Sequence, residues 1–168
     1  MTISMYQASA PRFANMLRNL AALIEKADAH CAAKKIDPAA LTAFRLYPDM
    51  FAFTRQVQIA CDTAKGAVAR LAGAEIPKHE YIEQSFAELK SRIAKTIDFI
   101  ESVKPERIDG SEDKEIVLPM RSGERRYKGM QYLLGFAYPN FYFHLTTAYN
   151  ILRHNGVEIG KADFIGKP

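Results

Sequence analysis

Apolar side chains recur in this chain at alternating steps of three and four residues over long stretches, and that periodicity restricts it to a mainly helical fold. Phe13, Leu17, Leu20, Ile24, Ala27 and Cys31 form one such stripe. Met50, Phe53, Val57, Ala60, Ala64, Val68 and Leu71 form a second, and Ile82, Phe86, Leu89, Ile93, Ile97 and Ile100 a third. An extended chain would scatter these residues over both faces of a sheet, whereas a helix gathers them on one.

The punctuation between the stripes sets the expected boundaries. The first helix runs from Ser4 to Lys35, and Pro11 either bends a short first turn or marks the start of the main helix, with Ser9 as its cap. Asp37-Pro38 and Tyr47-Pro48 leave room for at most a short helix before the second long one, from Asp49 to Ala72, which Gly73 ends. The third spans His79 to Val103 and stops at Pro105. A fourth is written in PNFYFHLTTAYNILRHNG, where Pro139 suits a first helical turn and Asn155-Gly156 a left-handed finish.

The segment between the third and fourth helices breaks the pattern. Ile116, Leu118 and Met120 alternate with Val117 and Pro119, and Ser122-Gly123 offers a turn before a second extended piece through Tyr127, which predicts a two-stranded hairpin. A lone hairpin is marginal in water, so it should lie against the helices. Met130 to Ala137 reads as a short helix, and the tail VEIGKADFIGKP as a segment draped over the bundle and anchored by Phe164 and Ile165. The expected fold is all-α, a four-helix bundle with a small hairpin insertion before the last long helix.

Composition narrows the setting. With 168 residues, nearly half of them apolar, one domain over residues 1–168 is expected. No run approaches the roughly 18 apolar residues of a membrane span, and no basic stretch precedes an apolar signal core, so a soluble, cytoplasmic protein with no membrane partner is expected. Cys31 and Cys61 lie on helical stripes and read as buried thiols. The net charge of +4 is spread along the helices, except for Arg121, Arg125, Arg126 and Lys128 in RSGERRYK. That cluster reads as a surface hairpin, and no nucleic-acid motif accompanies it.

The candidate functional residues lie on the second and fourth helices. Phe141, His144, Ala148 and Ile151 share one stripe, which places an imidazole on a core-facing surface. On the second helix Arg55, Asp62 and Lys65 fall close together while Gln56 and Gln58 flank the apolar seam, so one edge can offer an acid and hydrogen-bonding groups to an interior cleft. The plainer reading of Asp62 is a surface acid paired with Lys65 or Arg55. Glu88, Lys90, Arg92 and Lys95 read as solvent-facing, His79 as an exposed helix-start residue, and His30 and His154 as residues of helix ends.

The order of elements, together with QVQIACDTAKGAVARLAG in the second helix and YLLGFAYPNFYFHLTTAYNILRHNGVEIGK at the end, resembles an uncharacterised bacterial domain-of-unknown-function family of the DinB/YfiT-like four-helix-bundle superfamily. The resemblance covers nearly the whole chain. It implies the bundle fold and the neighbourhood of metal-dependent enzymes, among them thiol transferases. Their usual metal pattern takes one histidine from the second helix and two at four-residue spacing from the last. Here only His144 matches, since Ala148 stands four positions later and the second helix carries no histidine. A zinc or nickel centre on His144 would therefore have an incomplete triad.

Three functions stay open at this stage. In the first, an enzyme of the transferase or hydrolase type uses His144 as a base or metal ligand, with Asp62 orienting the imidazole and Tyr149 or Tyr142 lending a hydroxyl. In the second, the protein binds an unidentified small molecule in a pocket near His144. In the third it is a structural protein or a homodimer, with the aromatic segment Phe136 to Phe143 as packing or interface.

Overall fold

The computed structural model describes residues 2–120 and 123–167. Ser4 opens helix α1 (Met5–Ala8) with a capping box in which its hydroxyl and the Gln7 side chain satisfy each other's backbone N-H. The chain then bends at Ser9, just ahead of Pro11, and continues as α2 (Ala10–Lys34). Ser9 is fully buried and its hydroxyl donates back to the Met5 carbonyl at 2.6 Å, so it ties the bend together instead of capping α2. After α3 (Pro38–Thr42), capped by Asp37, helix α4 (Phe53–Ala72) begins four residues after the expected start at Asp49. Gly73, at φ 65°, supplies the left-handed residue that stops it.

Helix α5 (Phe86–Ser102) also starts late. Ser85 and Glu88 form its capping box, so residues 79–84, expected to be helical, form a loop, and Ile82 lies exposed. Strands β1 (Glu115–Met120) and β2 (Gly123–Lys128) pair antiparallel, with Ile116 opposite Tyr127 and Leu118 opposite Arg125. Ile116 and Leu118 are buried, while Met120 is not. Arg126 pairs with Glu115 and Glu124, and Lys128 with Asp113. The basic stretch thus sits among acids on the hairpin surface; Arg121 and Ser122, also part of that expectation, lie outside the described residues.

Pro139 does not open the last helix. The chain is already helical through α6 (Gly129–Tyr132) and a π-helical turn over Leu133–Ala137, which runs straight into α7 (Tyr138–His154). A proline inside a helix removes one N-H and crowds the preceding carbonyls, and the wider turn just before it accommodates both effects. Asn140 donates to the Phe136 carbonyl at 2.7 Å, supplying a side-chain partner inside this turn. Gly129, where β2 turns into α6, has no room for a side chain, because a Cβ there would collide with the Ser111 carbonyl.

The fold is mostly helical with one small hairpin. Helix α2 packs on α5, α5 on α4, α4 on α7, and α7 returns to α2. Their facing stripes make one core, in which Phe13 meets Phe141 edge-on at 5.0 Å and Phe53 meets Phe86 at 6.0 Å. Helix α8 (Lys161–Ile165) lies along α2: Asn19 donates to the Phe164 and Ile165 carbonyls, and the Phe164 ring packs against Tyr149. The Ile165 side chain, expected as an anchor, is exposed; its carbonyl does the anchoring. No helix among the described residues is long and apolar enough to cross a membrane.

Candidate functional site

Helix α7 carries His144 into its contact with α4, where the partner is Gln56 and not Asp62. His144 Nδ1 lies 2.7 Å from Gln56 Oε1. The Gln56 amide is itself buried and fixed, because its Nε2 donates to the Phe51 carbonyl at 3.0 Å. With the amide nitrogen so engaged, Oε1 must accept, and the ring must donate from Nδ1. The proton therefore sits on Nδ1, and Nε2 keeps its lone pair. Burial, and then the nearby Arg55 guanidinium, push the His144 pKa below its ordinary value, so the ring is neutral at pH 7. The Phe143 ring stands edge-on to the imidazole at 5.2 Å, and Phe143 and Phe51 are both more than half exposed. A half-buried acceptor beside the exposed Phe143 ring results.

Asp62 takes part in a different arrangement. It sits six residues beyond Gln56, about 9 Å along the axis and roughly a third of a turn around it, so it faces α5. There Arg92 donates to Asp62 at 2.8 Å, to Glu83 at 2.9 Å and to the Glu80 carbonyl at 2.7 Å. Lys65 approaches Asp62 at 3.0 Å, Tyr81 donates its hydroxyl to the same carboxylate at 2.7 Å, and Gln58 donates to Glu83 at 2.8 Å. The Arg55 guanidinium stacks over the Tyr81 ring at 3.9 Å. Burial alone would raise both acids, but the Tyr81, Lys65 and Arg92 contacts hold Asp62 low, and the Arg92 and Gln58 contacts hold Glu83 low.

Of the three residues expected to act together, the structure thus places each apart. His144 pairs with Gln56, Asp62 belongs to the Arg92 network, and Tyr149 packs on Phe164 of the tail. Gln56 was visible beforehand only as a polar residue flanking the seam. Arg92 was misplaced: it reads as solvent-facing yet is buried, with its guanidinium between two acids. One signal was available, since Arg92 stands three residues after Leu89 and four before Thr96, both buried, on the inner side of its helix. Tyr81 and Glu83 carry none, because both fall in a loop whose apolar spacing reads as helix.

The thiols and remaining histidines offer no convergent chemistry. Burial pushes the Cys61 thiol up to about 12, and Cys31 is buried and free. His154 is exposed with its ring 5.7 Å from that of Phe44, and His30 lies beside Gly156. Among the described residues no three His, Cys, Asp or Glu side chains converge to hold a metal ion. His144 could offer its Nε2 to a metal, with Nδ1 held by the Gln56 amide, but among the described residues two further donors of that kind do not join it. The residues present do not fit the expected metal centre.

Comparison with known proteins agrees with this architecture. Residues 5–165 match the family described as a domain of unknown function (DUF1993). The crystal structure of a DinB family member protein from Shewanella denitrificans superposes with a TM-score of 0.92 at 43% sequence identity, covering 97% of this chain and 92% of that one. No curated protein matches.

Proposed function

The chain belongs to the DUF1993 domain-of-unknown-function family, and from that premise we propose that it is a small-molecule-binding protein whose site is the neutral imidazole of His144. The frame is a DinB/YfiT-like four-helix bundle of α2, α4, α5 and α7 with the hairpin inserted before the last of them. The ligand lies at the α4–α7 end, where Phe51 and Phe143 give it an apolar border and His144 Nε2 accepts a hydrogen bond from its polar end. The same lone pair would let His144 take a proton from a bound substrate, so binding is the base on which any chemistry would rest.

The Gln56–His144 contact at 2.7 Å carries this reading. A core histidine serving packing alone has no need of a fixed tautomer with a free acceptor at a half-exposed position, and a metal ligand would need further donors around it. The test uses phenol, which combines an aromatic body with one O-H donor, and anisole, which lacks the donor. Saturable shifts of the His144 ring signals in NMR are expected with phenol and weaker ones with anisole, and the Gln56 side-chain amide signals of His144→Ala should show no binding of phenol. Equal responses to the two compounds, or phenol binding that survives His144→Ala, would overturn the proposal. Stoichiometric zinc or nickel in untagged protein, lost on His144→Ala, would return the site to the metalloenzyme class.

A further inference from the structure

A second region carries unused hydrogen-bonding groups. The loop from Lys78 to Glu83 and the first turns of α5 enclose a cleft of about 320 Å3. Arg92 and His79 line it, and each buries a nitrogen without a partner: Arg92 Nε and His79 Nδ1. Buried polar atoms are rarely left so, and two on residues that line one cleft point to a missing partner beside it. The Arg92 side chain is 1% exposed, so its guanidinium is held in place by Asp62, Glu83 and the Glu80 carbonyl while Nε stays idle.

The sign of the missing partner follows from what the other lining groups already do. Both Glu83 oxygens are occupied, Oε1 by Arg92 and Oε2 by Gln58. Glu88 accepts the Gln84 and Ser85 backbone N-H groups and the Ser85 hydroxyl on one oxygen, as the cap of α5. Glu80 is exposed to water, and only its carbonyl meets Arg92. Lys78 and Lys95 line the same cleft and enter no ion pair among the described residues. On the buried side the unused groups are donors, Arg92 Nε and an imidazole nitrogen free to carry its proton. At the rim two ammonium groups stand beside the Glu80 carboxylate and the second Glu88 oxygen, which water reaches.

We propose that this cleft is a second binding site, for an oxyanion group, carboxylate or phosphate, carried by a small molecule. Arg92 Nε and His79 Nδ1 would hold the oxygens from the buried side, with Lys78 and Lys95 closing over the exposed side. The site is separate from that of His144 and does not depend on it.

The test titrates the full chain with inorganic phosphate in one arm and succinate in the other, at ionic strength held constant with sodium chloride, reading the His79 ring signals by NMR. A saturable His79 shift is expected with at least one anion, while the His144 signals stay still. The arm that responds identifies the group as phosphate or carboxylate. The double variant Lys78→Gln/Lys95→Gln, on two exposed side chains and therefore folded, should weaken the response about tenfold. Absence of a saturable shift at about 10 mM of both anions, enough to fill most of a millimolar site, would overturn the proposal. So would an equal shift with chloride, or a response that the double variant leaves unchanged.

Discussion

The face of α4 that meets α7 carries a single buried amide, Gln56, set against one imidazole, whereas the face that meets α5 carries Asp62 and Lys65 in a network with Arg92, Glu83 and Tyr81. The first region is neutral, with two hydrogen bonds and one acceptor left free. The second is charged and nearly saturated. Its acids are held by several donors each, and burying Arg92 is tolerable only because both carboxylates stand within 2.9 Å of it. The contrast separates two uses of buried polarity: the network ties the loop before α5 to α4 and α5, and the sparse pair leaves one ring nitrogen without a bond to the chain.

The largest effect should come from breaking the network. Arg92→Leu leaves Asp62 and Glu83 facing each other without their shared cation, and should lower unfolding free energy by about 3 kcal/mol, read by urea denaturation. A loss below about 1 kcal/mol would mean that the network is as expendable as a surface ion pair. Gln56→Ala removes one amide from the neutral region and strands the Phe51 carbonyl and His144 Nδ1, for about 1–2 kcal/mol. Its sharper signature is loss of the fixed tautomer, which NMR of the His144 ring would show.

The two regions should also part on pH. The His144 pKa is depressed in the fold, by burial first and then by Arg55. The unfolded chain therefore binds the proton more readily, so the contribution is fully present above about pH 6.5 and is lost as pH falls through the lower folded value. His79 is depressed in the same direction, by burial and then the Lys65 and Arg92 charges, and adds to the same window. Asp62 and Glu83 are also held low, so their contribution persists above about pH 4 and is lost only as pH falls through their folded values. Stability measured against pH should fall in two steps, and His144→Gln should shrink the upper one alone. The smallest effect is expected for Tyr81→Phe, which removes the hydroxyl from Asp62 at an exposed position and should cost about 0.5 kcal/mol in the same denaturation assay.

How much of this was legible beforehand follows from periodicity. Long stripes such as Phe13 to Cys31 fix a helix and its inner face, and the alternation of Ile116 and Leu118 fixes a strand, because those patterns are properties of the local chain. Boundaries were less visible. The Ser85-x-x-Glu88 capping box overrode an apolar Ile82 and moved the start of α5, and a π-turn let the last helix run through Pro139. Of the candidate site, the imidazole of His144 on a core-facing stripe and the polar edge of the second helix are legible in the sequence. Its partner was not, because choosing Gln56 over Asp62 requires knowing which neighbour each face of α4 meets. Arg92 was missed for the same reason: a charge reads as exposed until the acids that meet it are placed beside it.

The claim that organises this account is that Gln56 holds His144 as a neutral ring with its proton on Nδ1 and its lone pair on Nε2. Long-range 1H–15N NMR of the histidine rings, recorded across pH 4 to 8, reads that state directly. The account predicts a single Nδ1-H form for His144 at pH 7, protonating below about pH 6.5 and reverting to mixed tautomers in Gln56→Ala. An Nε2-H form, or protonation above that value, would contradict it.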